Sequence, residues 1–225
     1  MILYFVRHGY PDYEHDSLTE EGRRQAEETA KYLNSIDFDY IFSSILGRAV
    51  ATAEYLAKKQ NKDIIKLAWA SEHNAGSYFA VFDEEHHFSN WLFWDKKCAK
   101  RMLELSEDKE WYKDPLFINN NIEYALNFYV KEIGDWLKSL GIYHDHKTKT
   151  FHKIEGMEVP ENVVLFAHGG MAMCFLSNIL DINYPYFSTH FNALDTCGVV
   201  KIEIDLDNQV ARLASYNEVH YEKRD

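Results

Sequence analysis

Residues Ile2-Leu3-Tyr4-Phe5-Val6 form a continuous apolar run of β-branched and aromatic types that ends abruptly in Arg7-His8-Gly9. The run is short enough for a buried strand and too short to span a membrane. A guanidinium, an imidazole and a glycine therefore sit where the carboxyl end of a buried strand meets a loop, which is where open α/β sheets bind ligands. Arginine offers a planar fork to phosphate oxygens and glycine lets backbone approach closely. His8 would serve as a base, a metal ligand or a nucleophile. The alternative is an ordinary strand end with a polar residue or two, and the rest of the chain must decide.

A polar loop with Pro11, Asp12 and Asp16 leads to Leu18-Thr19-Glu20-Glu21-Gly22. Thr19 is a good N-cap, and the two glutamates suit the positive end of a helix dipole. Gly22, Ala26, Ala30 and Leu33 recur on one face, so the spacing predicts a helix over 19–34. Asp39 to Ser44 reads as a second strand, followed by a helix opened by Ser44 and Gly47 with Ala49, Ala53, Leu56 and Ala57 on one face. Arg48 lies in its first turn. Ile64 to Trp69 reads as a third strand, and this alternation predicts a parallel sheet with covering helices.

Residues 70–118 break the rhythm with ten aromatics among charges, including Tyr78, Phe79, Phe82, Phe88, Phe93 and Trp94. Partial helical spacing at Trp91, Cys98, Met102 and Leu105 suggests a largely helical insertion, a cap whose aromatics mostly pack the cap itself. A strong helix follows over about 119–140, with Ile122, Leu126, Tyr129, Ile133, Leu137 and Leu140 on one stripe and Gly141 at its end. The polar stretch 143–161 reads as a surface loop or hairpin. Its His144, His146 and His152 lack metal-ligand spacing and are expected to be solvated. Val163 to Ala167 is a second buried strand ending in His-Gly, here His168-Gly169-Gly170, and a helix continues to about Leu180. The last segments, 196–205 and 210–217, alternate around Asp207-Asn208 as an edge hairpin should.

The length of 225 residues leaves room for one large domain, or one domain with an insertion. A net charge of −12 argues against a nucleic-acid or anionic-membrane surface, yet a few arginines focused in one cleft would still accept an anionic substrate. Cys98, Cys174 and Cys197 show no CxxC spacing and read as reduced core thiols, and the N-terminus lacks a secretory pattern; the chain is expected to be cytoplasmic.

Two strand-end histidines, His8 and His168, and two arginines, Arg7 and Arg48, would open onto one edge of one sheet. Together they suit a phosphoryl group, whose three equatorial oxygens need donors and positive charge in the transition state. Arg7-His8-Gly9, Leu18 to Ala26, Ser43-Ser44 with Arg48-Ala49 and Thr52-Ala53, and Ala167-His168-Gly169-Gly170 resemble the histidine phosphatase superfamily in order and spacing. The resemblance is to the branch that contains cofactor-dependent phosphoglycerate mutases and fructose-2,6-bisphosphatase-like enzymes. It implies a three-layer α/β/α sandwich with a mostly parallel central sheet, phosphoglycerate mutase-like, spanning residues 1–225 with the helical cap insertion at 70–118.

The resemblance also implies roles. His8 would be the nucleophile that becomes a transient phosphohistidine, and it must be neutral to attack. Arg7, Arg48 and His168, with Gly9 and Gly169 beside them, would bind the phosphoryl group, His168 being cationic as charge builds up. Glu72, four residues before Gly76, matches the position of the acid that protonates the leaving oxygen, which would need its pKa raised by burial. Asp12, Glu84 and Glu85 are weaker candidates.

The sequence departs from the family pattern at Tyr10-Pro11-Asp12, where no asparagine follows to help bind phosphate, and at Gly76-Ser77-Tyr78. The insertion is thus a poor match to the sugar-phosphate mutases and bisphosphatases. Lys96, Lys97, Lys100 and Arg101 read as a solvated helix face rather than a bisphosphate clamp. The expected function is a phosphatase acting on a phosphomonoester of a small or medium metabolite, a phosphoric monoester hydrolase that needs no cofactor and no metal. The alternatives are a phosphoglycerate mutase-type phosphotransferase and a catalytically weak phospho-ligand binding protein. Expected partners are a small phosphorylated substrate or inorganic phosphate, without nucleic acid or membrane; exposed cap aromatics could equally bury themselves in a homodimer.

Overall fold

The computed structural model describes residues 1–73, 98–117 and 121–222, together with the backbone of 80–83 and 88–91. In chain order, β1 (Ile2–Arg7) is followed by a small antiparallel pair, β2 (Pro11–Asp12) and β3 (Ser17–Leu18), then α1 (Glu20–Leu33), β4 (Tyr40–Ser44), α2 (Gly47–Gln60) and β5 (Ile64–Leu67). The insertion contributes a hairpin, β6 (Ala80–Asp83) and β7 (Phe88–Trp91), and α3 (Ala99–Leu105). The chain closes with α4 (Ile122–Ser139), the hairpin β8 (Ile142–Asp145) and β9 (Thr150–Lys153), β10 (Asn162–Ala167), α5 (Gly169–Ile179), α6 (Tyr184–His190), β11 (Val199–Asp205) and β12 (Val210–Glu218).

Six strands form the central sheet in the order β12-β11-β1-β10-β4-β5. β1, β10, β4 and β5 pair in parallel, while β11 and β12 add an antiparallel edge. β1 and β10 are neighbours in register, Arg7 beside Ala167, so their ends deliver His8 and His168 side by side. Alternation along the strands divides the core. Leu3, Phe5, Val163 and Leu165 pack beneath α4 and α5 with Ile133, Trp136, Phe175 and Leu176. Tyr4, Val6, Val164 and Phe166 face α1 and α2 with Ala30, Leu33, Ala53 and Leu56. Burial of both faces explains why β1 and β10 read as unbroken apolar runs.

The caps follow the sequence. Thr19 accepts from the Gly22 N–H at 3.0 Å, as its position before two glutamates predicts. Gly141 takes φ +78° just past α4, a left-handed helix stop that glycine adopts without strain. The third strand is shorter than the reading of 64–69, because the backbone tightens into a 3₁₀ turn at Ala68–Ala70 that carries the chain toward Glu72.

The insertion departs from the helical expectation. Trp91 belongs to an antiparallel hairpin rather than a helix, and only α3 and two 3₁₀ turns, Trp111–Lys113 and Pro115–Phe117, are helical among the described residues of 74–118. Met102, Leu105, Trp111 and Phe117 are buried, so these positions do pack the insertion onto the core. Arg101 is about half exposed and pairs with Glu104 and Asp114, a solvated face as read. Lys96, Lys97, Tyr78, Phe79, Phe93 and Trp94 lie outside the described residues. So do Gly76, Glu84 and Glu85.

One histidine expectation is corrected. His144 is not solvated: its side chain is 1% exposed, its ring stacks on Phe151 and its Nε2 meets the Asp181 carboxylate. Hairpin pairing turns alternate residues of β8 inward, and the 143–161 stretch gave no view of an acid 37 residues beyond His144. Among the described residues no helix is long and apolar enough to cross a membrane. All three cysteines are free thiols.

Candidate active site

The carboxyl ends of β1, β4, β5 and β10 bring together Arg7, His8, Arg48, Glu72 and His168, the five candidate catalytic residues of the sequence. His8 and His168 are fully buried, their ring centroids 5.1 Å apart. The His8 Nδ1 lies 2.8 Å from the Gly9 carbonyl oxygen. A carbonyl can only accept, so the imidazole proton is fixed on Nδ1 and the Nε2 lone pair is left free. Nε2 is buried without a hydrogen-bond partner among the described residues, as are Arg7 Nε, Arg48 Nε and His168 Nδ1. The Gly9 N–H donates to Thr52 Oγ1 at 3.0 Å. Both polar groups of Gly9 are thus committed to orienting the loop, and Gly9 offers no free donor to a substrate.

Arg7 is anchored by donating to the Leu194 carbonyl, and its guanidinium lies against Gly169, where an added Cβ would come within 3.3 Å of Nε. Gly169 therefore makes room for Arg7. Arg48 is held from two sides, by Asp16 at 2.6 Å and by Glu72 at 3.2 Å, with the Tyr13 ring over its guanidinium. Asp16 also accepts from the Gly47 N–H at 2.6 Å. Leu46 cannot cap α2 with its own side chain, so Asp16 caps it from the β2–β3 loop. That approach requires glycine at 47, since a Cβ there would stand 2.1 Å from the Asp16 carbonyl.

His168 Nε2 lies 2.8 Å from Ser44 Oγ, and its Nδ1 lies 3.8 Å from Glu72. Glu72 accepts from the Gly170 N–H at 3.0 Å in the first turn of α5. Its carboxylate thus bridges the helix end and Arg48. Asp12 is not part of this cluster: it pairs with His15 on the surface. Asp16, Ser44 and Thr52 hold the site together although none was assigned a role from sequence. Ser44 and Thr52 stood within the resemblance motifs, whereas Asp16 had no signal beyond being an acid in a polar loop.

Burial pushes the His8 imidazole down to about 3, with the Arg7 and Arg48 charges adding to the effect. His168 is likewise held well below the ordinary imidazole value, chiefly by burial and then by His8 and the same arginines. Burial and the neighbouring charges thus favour the neutral form of both imidazoles in the absence of an anion. His8, Glu72 and His168 place ligand atoms within 4.8 Å of one another. Two adjacent guanidinium charges nevertheless favour an anion there over a metal cation.

A stability consequence follows. Between pH 6.5 and about 3 the unfolded chain binds a proton that folded His8 refuses, so stability falls as pH drops through that window. At pH 5 the loss is about 2 kcal/mol for one such histidine, and His168 acts in the same direction. Urea unfolding at about pH 7 and about pH 5 should show His8→Gln losing less stability than wild type by roughly that amount. Equal acid losses would mean that His8 is protonated in the fold.

The histidine phosphatase superfamily (branch 1) profile matches residues 3–108. A 2,3-bisphosphoglycerate-dependent phosphoglycerate mutase of Thermoplasma acidophilum is 36% identical over 74 residues, a match covering 28% of this chain and 37% of the mutase. The fold is similar to a phosphoserine phosphatase of Entamoeba histolytica solved with 3-phosphoglyceric acid, at TM-score 0.60 and 20% identity over 96% of both chains. A mycobacterial glucosyl-3-phosphoglycerate phosphatase is similar at TM-score 0.60 and 19% identity, over 96% of this chain and 98% of its own. The ordered sequence blocks, the strand-end pair of histidines and the mostly parallel α/β sheet agree with this likeness to the histidine phosphatase superfamily, branch 1, whose model matches residues 3–108.

Proposed function

We propose that the chain is a phosphatase that hydrolyses a phosphomonoester of a small or medium metabolite through a phosphohistidine at His8. The observation that carries this reading is the His8 Nε2 lone pair, fixed by the Nδ1–H to Gly9 bond and buried between two arginines. A nucleophile must present an unprotonated lone pair, and the Nδ1–H to Gly9 bond leaves Nε2 with one. Attack forms the Nε2–P bond and breaks the P–O bond to the leaving group, whose oxygen takes a proton from Glu72. Water then attacks phosphorus as Glu72 accepts its proton, releasing inorganic phosphate and restoring His8. Arg7, Arg48 and His168 hold the three equatorial oxygens, so charge developing there meets fixed donors. We further propose that the insertion within 70–118 bears on which leaving group is accepted.

The phosphatase and phosphoglycerate-bearing names among the similar structures support this class, and the match to a mutase keeps phosphotransfer as a second reading. Steady-state assays in excess chelator, on p-nitrophenyl phosphate and a panel of metabolite phosphates, distinguish the two. Chelator-insensitive release of inorganic phosphate is expected. Phosphoglycerate interconversion that needs a bisphosphate primer, without net phosphate release, would favour the mutase. Phosphate binding with no turnover on any substrate would overturn both.

A further inference from the structure

His144, His146 and Asp181 meet far from the phosphoryl site, at the opposite end of α5. That helix starts at Gly169 beside Arg7 and ends at Ile179, about 16 Å along its axis. Asp181 follows it in a left-handed conformation, φ +48°, which turns its carboxylate toward the β8–β9 hairpin. Its two oxygens are shared out, Oδ2 lying 2.7 Å from His144 Nε2 and Oδ1 2.8 Å from His146 Nδ1. The two imidazole rings stand 3.9 Å apart at their centroids. All three side chains offer ligand atoms within 4.8 Å of one another.

Their surroundings also suit a ligand. His146 and Asp181 line a cavity of about 550 Å³ between α4, α5, α6 and the segment 106–111. Asn178 and Asn183 line the same cavity, and each has a buried side-chain oxygen without a hydrogen-bond partner. His144 Nδ1 is also buried and unpartnered. One imidazole, a carboxylate and two unclaimed amide oxygens thus line the same cavity, and the His144 imidazole meets the same carboxylate. Lys149 also stands on this wall, its ammonium 3.4 Å from the Asp181 carbonyl rather than on the carboxylate.

We propose that His144, His146 and Asp181 form a binding site for a divalent transition metal, zinc or an ion of like preference, with its open coordination position facing the cavity. Imidazole with carboxylate suits zinc, cobalt or nickel, whereas magnesium and calcium prefer all-oxygen shells. Bonds of about 2.0–2.1 Å at tetrahedral angles separate neighbouring ligand atoms by about 3.3 Å. The present hydrogen-bonded pairs therefore open by about half an ångström on binding. The Nε2 proton of His144 moves to Nδ1 and the Nδ1 proton of His146 moves to Nε2. Two nitrogen lone pairs and one carboxylate oxygen then bond the ion, with no redox change. The ion would pin the β8–β9 hairpin to the end of α5.

Calorimetric titration of chelator-stripped protein with zinc alone, and the visible spectrum of the cobalt adduct, test this. Wild type is expected to take up one equivalent with micromolar or tighter affinity and to give a cobalt spectrum with imidazole ligation. His146→Ala, at a partly exposed position, and Asp181→Asn, which tolerates the left-handed backbone, should each weaken binding by about 10- to 100-fold. His8→Ala should leave it unchanged. No saturable binding, or undiminished binding in both variants, would overturn the assignment. Loss of binding in His8→Ala would overturn it too, since the ion would then sit at the phosphoryl site.

Discussion

His8→Ala is expected to lower phosphatase turnover by roughly 10³-fold or more while inorganic phosphate still binds. The variant removes the atom that bonds to phosphorus and leaves Arg7, Arg48 and His168 in place. Those residues are anchored independently of the His8 ring, Arg7 on the Leu194 carbonyl, Arg48 between Asp16 and Glu72, and His168 on Ser44. Removing a buried neutral imidazole should leave the fold intact near pH 7 and should not weaken it in mild acid. Steady-state kinetics with phosphate as competitive inhibitor separates the two effects: kcat collapses and the inhibition constant holds. Residual turnover near wild type would remove His8 from the mechanism.

The second large effect is a split by leaving group in Glu72→Gln. An alkyl phosphate needs its departing oxygen protonated, and general acid catalysis is worth about 10²- to 10⁴-fold. p-Nitrophenolate leaves without such help, so for the aryl ester the first step should be spared. Water attack on the phosphoenzyme still needs the carboxylate, so the aryl reaction should show a burst of one equivalent followed by slow turnover. Glutamine keeps an acceptor for the Gly170 N–H, which preserves the cap of α5. Losses of equal size for alkyl and aryl substrates, with no burst, would assign Glu72 to holding Arg48 rather than to proton transfer.

The parts legible in the sequence are those encoded by local pattern. β1 and β10 are buried on both faces, so their apolar runs stand out and their ends announce Arg7-His8-Gly9 and His168-Gly169. The small-residue face of α1 and the alanine face of α2 are likewise periodic signals that burial bears out. What escaped is encoded by contacts between distant segments. Asp16 caps α2 from 31 residues away, and Ser44 meets His168 across 124. The His144–Asp181 contact joins a hairpin to a helix end, and neither segment alone reveals it. α6 was missed although Pro185, near its start, is a recognised opening signal. The insertion hairpin was missed because aromatic residues suit strands and helix interiors alike.

Trapping the phosphoenzyme tests the central claim most directly. Glu72→Gln is mixed with aryl phosphate, quenched in base within the burst, digested and read by mass spectrometry for phosphate on histidine-bearing peptides. The account predicts close to one equivalent of phosphate on His8 and none on His168. Phosphate on another residue, or continuing turnover with His8 unmodified at every time point, would contradict it.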